Sequence, residues 1–235
     1  MLFLLFTLYL AFSSGICKSR ICKQDPYEVC KQDFVRTEFM DSEDELDYIC
    51  LYFGDYYECF AKFLHCETIG PLSYPGRYES IVSLLNDVCE KDTLFYKIVA
   101  KGLPCIKGAL NDGKGNCGKS REKLMDAYKN YVEGKSEGNA GIFEGKGSEA
   151  ILQQLDTIEC LQDINRVSCV ADYAATECTD LAKGAVVEIA RRSQMVDDRC
   201  ADEDIPLLFE TVNQLDLKKP HKQSLLYTFQ GLFMK

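Results

Sequence analysis

The stretch Ser42-Glu-Asp-Glu-Leu-Asp-Tyr-Ile-Cys50-Leu-Tyr-Phe-Gly-Asp-Tyr-Tyr-Glu-Cys59-Phe-Ala-Lys-Phe-Leu-His-Cys66 decides the fold class. Ser42 with Glu45 three residues on is a capping box, in which each side chain satisfies an orphan amide of the first turn. Leu46, Ile49, Cys50, Phe53, Tyr57, Phe60 and Leu64 then recur at helical spacing, so an amphipathic helix is expected over roughly 43–65. Gly70-Pro71 and Pro75-Gly76 punctuate its exit. Cys59 and Cys66 fall on one side of this helix, about 10 Å apart along its axis, too far to bond each other. They are expected to reach two different neighbouring segments.

Working outward, the same period continues. A helix is expected over 77–90 with Tyr78, Ile81, Val82, Leu85 and Cys89 on one face. Asp92 or Thr93 caps a third that carries Phe95, Ile98 and Val99, with Gly102 and Pro104 ending it. Asn111 to Gly118 reads as a glycine-rich loop, and Ser120 opens a short helix with Leu124, Met125, Tyr128, Tyr131 and Val132. Ser148 caps another with Ile151, Leu152, Leu155 and Ile158, and further pieces are expected over 166–178, 180–192 and 204–216. No period-2 segment bounded by hairpin turns occurs, so an all-β module is not expected. Helices this short are not stable alone.

Thirteen cysteines supply what the helices lack: Cys17, Cys22, Cys30, Cys50, Cys59, Cys66, Cys89, Cys105, Cys117, Cys160, Cys169, Cys178 and Cys200. They are spread along the chain without Cys-x-x-Cys pairs, and the only histidines are His65 and His221, which disfavours zinc. Disulfides are the expected use, each contributing roughly 2–4 kcal/mol by restricting the unfolded chain. The odd count leaves one thiol over, either buried and free or crosslinking two chains as a disulfide-linked homodimer. An oxidising compartment fits the amino end. Residues 1–15 are apolar and uncharged and end in Ser13, Ser14 and Gly15, as a signal peptide does. That run is too short for a membrane anchor, and no later segment qualifies as one. A secreted, extracellular product is expected.

The domain plan follows composition. Residues 16–40 form a cysteine-containing amino-terminal segment with little regular structure. Residues 41–133 form a first helical disulfide unit and 148–219 a second. Between them, 134–147 holds five glycines among charged and small residues and reads as a flexible linker. Residues 220–235 are a tail. The two units show a repeat: Cys50-x8-Cys59-x6-Cys66-x22-Cys89 against Cys160-x8-Cys169-x8-Cys178-x21-Cys200, each opening on Cys-Leu. If the repeat is real, corresponding cysteines make corresponding bonds. Over residues 41–210 this spacing resembles the cysteine-rich helical domains of secreted nematode and arthropod proteins, some of them from haemolymph. That resemblance implies an extracellular, helical protein and carries no catalytic residues.

Function is less legible. The net charge of -10 disfavours nucleic acid, which requires a clustered basic surface. No Asn-x-Ser/Thr sequon is present. Gly113 to Ser120 matches G-x-x-x-x-G-K-S, the loop that wraps phosphates and presents Lys119 to them. It lacks a buried strand before it, and Cys117 inside it is expected in a disulfide, so a covalently anchored turn into a helix is the preferred reading. Nucleotide binding there is the remote alternative. His65 ends a helix and His221 has no acid or nucleophile beside it in sequence, so a secreted hydrolase is the second alternative, without assigned residues. No catalytic, cofactor-binding or metal-ligating set is expected, and the reading leans away from an enzyme. Tyr48, Tyr52, Phe53, Tyr56, Tyr57 and Phe60 nearly encircle one helix, so some of these rings are either buried by two neighbours, the preferred reading, or form a binding surface, for which Tyr48, Tyr52, Tyr56 and Tyr57 are the candidates. The leading expectation is an extracellular binding or structural protein whose partner is another protein or a small apolar ligand.

Overall fold

The computed structural model describes residues 21–31, 42–66, 76–110, 117–138, 148–196 and 200–234. The signal-peptide and cleavage readings, Cys17, and residues 139–147 of the glycine-rich segment lie outside these. Among the described residues all regular structure is helical. The helices are α1 (Pro26–Cys30), α2 (Glu43–Ala61), α3 (Arg77–Cys89), α4 (Leu94–Leu110), α5 (Cys117–Gly138), α6 (Ser148–Glu177), α7 (Asp180–Arg192), α8 (Ile205–Gln214) and α9 (Lys219–Phe233). A 3-10 turn at Asp202–Asp204 leads into α8. The disulfide-stabilised all-α bundle expected from the helical stripes is what the chain forms.

Local chemistry sets most boundaries. Ser42 Oγ accepts from the Glu45 amide at the start of α2, Thr93 Oγ1 accepts from Tyr96 before α4, and Thr179 Oγ1 accepts from Ala182 at the start of α7. Three expectations fail, each for a physical reason. Pro104 does not end its helix: α4 runs on to Leu110. Leu103, Cys105, Ile106 and Ala109 around the proline are buried, and burial outweighs the lost amide. The pieces expected on either side of Cys160 are one helix of 30 residues; no glycine or proline interrupts 148–177, so nothing breaks it. Ser120 does not open α5, which starts three residues earlier at Cys117.

Twelve of the thirteen cysteines pair: Cys22–Cys66, Cys30–Cys59, Cys50–Cys89, Cys105–Cys178, Cys117–Cys169 and Cys160–Cys200. By elimination Cys17 is the odd one. Of the twelve paired cysteines in chain order, the first six join first to fifth, second to fourth and third to sixth, and the second six do the same. The correspondence expected of a repeat therefore holds, and it extends upstream to match Cys22 with Cys105 and Cys30 with Cys117. Cys59 and Cys66 reach the same neighbour rather than two, the short segment carrying Cys22 and Cys30.

This framework does not divide the chain where composition suggested. Cys105–Cys178 and Cys117–Cys169 both cross 134–147, and α5 continues through Gly138. The main core joins Leu124 and Tyr128 of α5, Leu161, Ile164 and Val167 of α6, Val187 of α7, Val212 of α8 and Phe229 of α9. A second cluster packs Leu46 of α2 with Tyr96, Val99 and Leu103 of α4 and Ala185 of α7. Arg192 extends this contact by binding Asp87 at 2.7 Å and Ser83 at 2.7 Å on α3, and Arg77 donates to the Gln194 carbonyl at 2.9 Å. Helices from both sides of the glycine-rich segment thus share one interior. Two further readings are corrected. The amino-terminal segment contains α1, whose Cys30 is buried with Phe60 and Phe63. The supposed tail is α9, with Leu225, Phe229 and Leu232 in the main core.

Candidate functional site

The helical stripes do not close completely on one another. Between α2, α3, α4, α6 and α7 lies a cavity of about 720 Å³. Its walls are Leu46 and Phe53 from α2, Leu84 and Val88 from α3, Leu103 and Ile106 from α4, Val167 and Val170 from α6, and Val186 and Ile189 from α7. These are the inward positions of amphipathic helices, so the lining is apolar by the same pattern that forms the core. The Cys50–Cys89 bridge is part of the wall and ties α2 to α3. A covalently fixed wall limits collapse and pre-forms the space. Met195, more than half exposed, and Leu110 are the exposed apolar residues of its lining. Among the described residues only two charged side chains line it, Asp163 and Arg166, one turn apart on α6. A volume in this range with few polar groups is what small-molecule sites have.

A second space, about 820 Å³, is a polar cleft between α5, α6 and the start of α9. Here the structure brings together residues that sequence keeps apart. Ser120 Oγ lies 3.0 Å from His221 Nε2, and both meet the buried Asn165 Oδ1, at 3.0 and 2.9 Å. His221, which has no nucleophile near it in sequence, therefore has one in space, supplied from 101 residues away. Asn165 Oδ1 ties the two together; in the tautomer that protonates Nε2, the ring donates to that oxygen and has no lone pair with which to activate Ser120. Burial pushes the imidazole below its ordinary pKa, with Lys123 adding to the effect. Nor does the cleft suit a polyphosphate. Lys119, Lys123 and Lys218 alternate around it with Asp126, Asp172, Glu177 and Asp216, so it presents no single sign of charge. Lys119 is exposed in the first turn of α5 and Cys117 is bonded to Cys169. Of the Gly113–Ser120 match, Cys117 to Ser120 form a disulfide-anchored helix start, and 113–116 lie outside the described residues.

The tyrosines divide between two settings. Tyr56 and Tyr57 pack inward: Tyr56 sits against Phe60 at 5.4 Å, and Tyr57 faces Tyr78 at 6.0 Å while its carbonyl accepts from the Tyr78 hydroxyl. Burial, reinforced by the neighbouring tyrosines and Asp25, pushes the Tyr56 phenol up to about 12. Tyr52 stacks on Tyr56 at 6.5 Å and is half-buried, and Tyr48 is exposed. His65 is exposed beside the Cys22–Cys66 bridge. Its ring nitrogen and the two sulfurs lie within 4.8 Å of one another, but sulfurs joined to each other offer no thiolate for a metal.

Sequence reasoning named the inward-facing Leu46, Ile49, Cys50, Phe53 and Leu85 as a packing stripe and saw no cavity. Asp163 and Arg166 went unremarked; their signal was two opposite charges beside Val167 and Val170 on an otherwise inward face. Among the described residues no helix is long and apolar enough to cross a membrane. No protein-family model matches this chain, and neither a curated protein nor a solved structure matches it.

Proposed function

We propose that the protein is an extracellular, non-enzymatic carrier that holds a small apolar ligand in the cavity between α2, α3, α4, α6 and α7. One observation carries the reading: about 720 Å³ of apolar-walled space whose lining includes the exposed Met195 and Leu110. Apolar walls favour an apolar guest because each methylene moved out of water contributes about 0.8 kcal/mol. Six disulfides, which persist in oxidising compartments, support the extracellular setting. The charge of -10 keeps such a carrier soluble and dispersed.

The chain contains no tryptophan, which makes a clean test available. Met195→Trp places a single indole in the cavity lining. Titration with the neutral apolar dye N-phenylnaphthylamine is expected to give saturable, one-to-one dye fluorescence with a matching change in indole emission. Dye binding that leaves the indole unchanged would put the ligand elsewhere. Absence of saturable binding would end the carrier reading.

A further inference from the structure

The two charges in an otherwise apolar cavity narrow the ligand class. Arg166 is exposed and, among the described residues, is the one cationic side chain lining the space. Its position on α6, one residue before Val167 and one turn before Val170, puts a guanidinium where the apolar wall meets solvent. A guanidinium presents a planar pair of N–H donors that fits a carboxylate in a bidentate manner. Its exposure means that a bound carboxylate need not lose all its water, which avoids the large penalty of a fully buried ion pair. Asp163 lines the cavity one turn earlier. The two lining charges are opposite in sign, so a head of low charge suits the site better than a phosphate monoester or other dianion.

Resting on the carrier reading above, we infer that the cavity takes a single-chain amphiphile with one negative charge, a long-chain carboxylate. Its hydrocarbon lies among Leu46, Phe53, Leu103 and Ile106, and its head meets the Arg166 guanidinium. The chain provides affinity and the head provides orientation. Affinity should therefore rise with chain length by about fourfold per methylene until the cavity is full.

The test is calorimetric titration of the disulfide-bonded protein, below micelle-forming concentrations, with octanoate, dodecanoate, hexadecanoate and dodecanol. Dodecanoate is expected to bind one-to-one, far more tightly than octanoate and at least tenfold more tightly than dodecanol. Arg166→Gln is expected to remove the preference for acid over alcohol while dodecanol still binds one-to-one, which also shows that the variant is folded. Equal affinity for acid and alcohol, or a preference that survives Arg166→Gln, would overturn the anionic-head inference and leave the carrier reading standing. If no chain of either kind bound, both would fall together.

Discussion

Two glycines on packed helices should respond to the same substitution with opposite signs. Gly231 lies in α9 against α7, and a Cβ built there would stand 2.6 Å from Val187 Cγ1. Ordinary contact is about 3.5–4.0 Å, so close to an ångström must be given up. Val187 is 4% exposed and β-branched, and in a helix it has one favoured rotamer, so it cannot swing away. Overpacking of this kind costs about 1–3 kcal/mol. Replacing a helical glycine by alanine returns about 1 kcal/mol of backbone entropy and propensity. Gly231→Ala should therefore be net destabilising by about 1 kcal/mol. Gly184, in α7, has nothing within 4 Å of its Cβ position, so Gly184→Ala should stabilise by about 1 kcal/mol. Guanidinium denaturation with disulfides intact, followed by far-ultraviolet circular dichroism, reads both. Val187→Ala in the Gly231→Ala background should recover part of the loss, giving a favourable coupling of about 1 kcal/mol in the double-mutant cycle. If Gly231→Ala stabilised as much as Gly184→Ala, or if the cycle showed no coupling, the close approach of α7 and α9 would be refuted.

Two other outcomes follow from the framework and from the polar cleft. Burial lowers the folded-state pKa of His221 below its ordinary 6.5, so the unfolded chain takes up a proton first on acidification. Stability should then fall as pH drops below 6.5 and level off once the folded imidazole is also protonated. His221→Gln should flatten that part of the profile, and an unchanged profile would remove His221 as its source. In denaturant without reductant, the protein should show at most one reactive thiol per chain by Ellman titration, and Cys17→Ser should show none. Two or more thiols would break the disulfide assignment.

What the chain alone determined was whatever depends on neighbours within a few turns. The Ser42–Glu45 cap, the stripe from Leu46 to Phe60, the start of α3 near Gly76 and the span of α7 are all local, because a helix is a contest among residues three and four apart. Oxidative crosslinking was legible too, since thirteen cysteines with two histidines leave metal sites little to work with, and the matched spacings carried the repeat of bonds. Tertiary packing decided the rest. Pro104 stays inside α4 because burial there outweighs a missing amide, a balance no local rule contains. The last helix is core because Phe229, with Leu225 and Leu232, joins a cluster that also draws on α5, α6, α7 and α8. Ser120 and His221 touch across 101 residues, and the cavity needs five helices to converge on one space. A void is a property of surfaces that fail to fill each other, so it leaves no mark on any one segment of the chain.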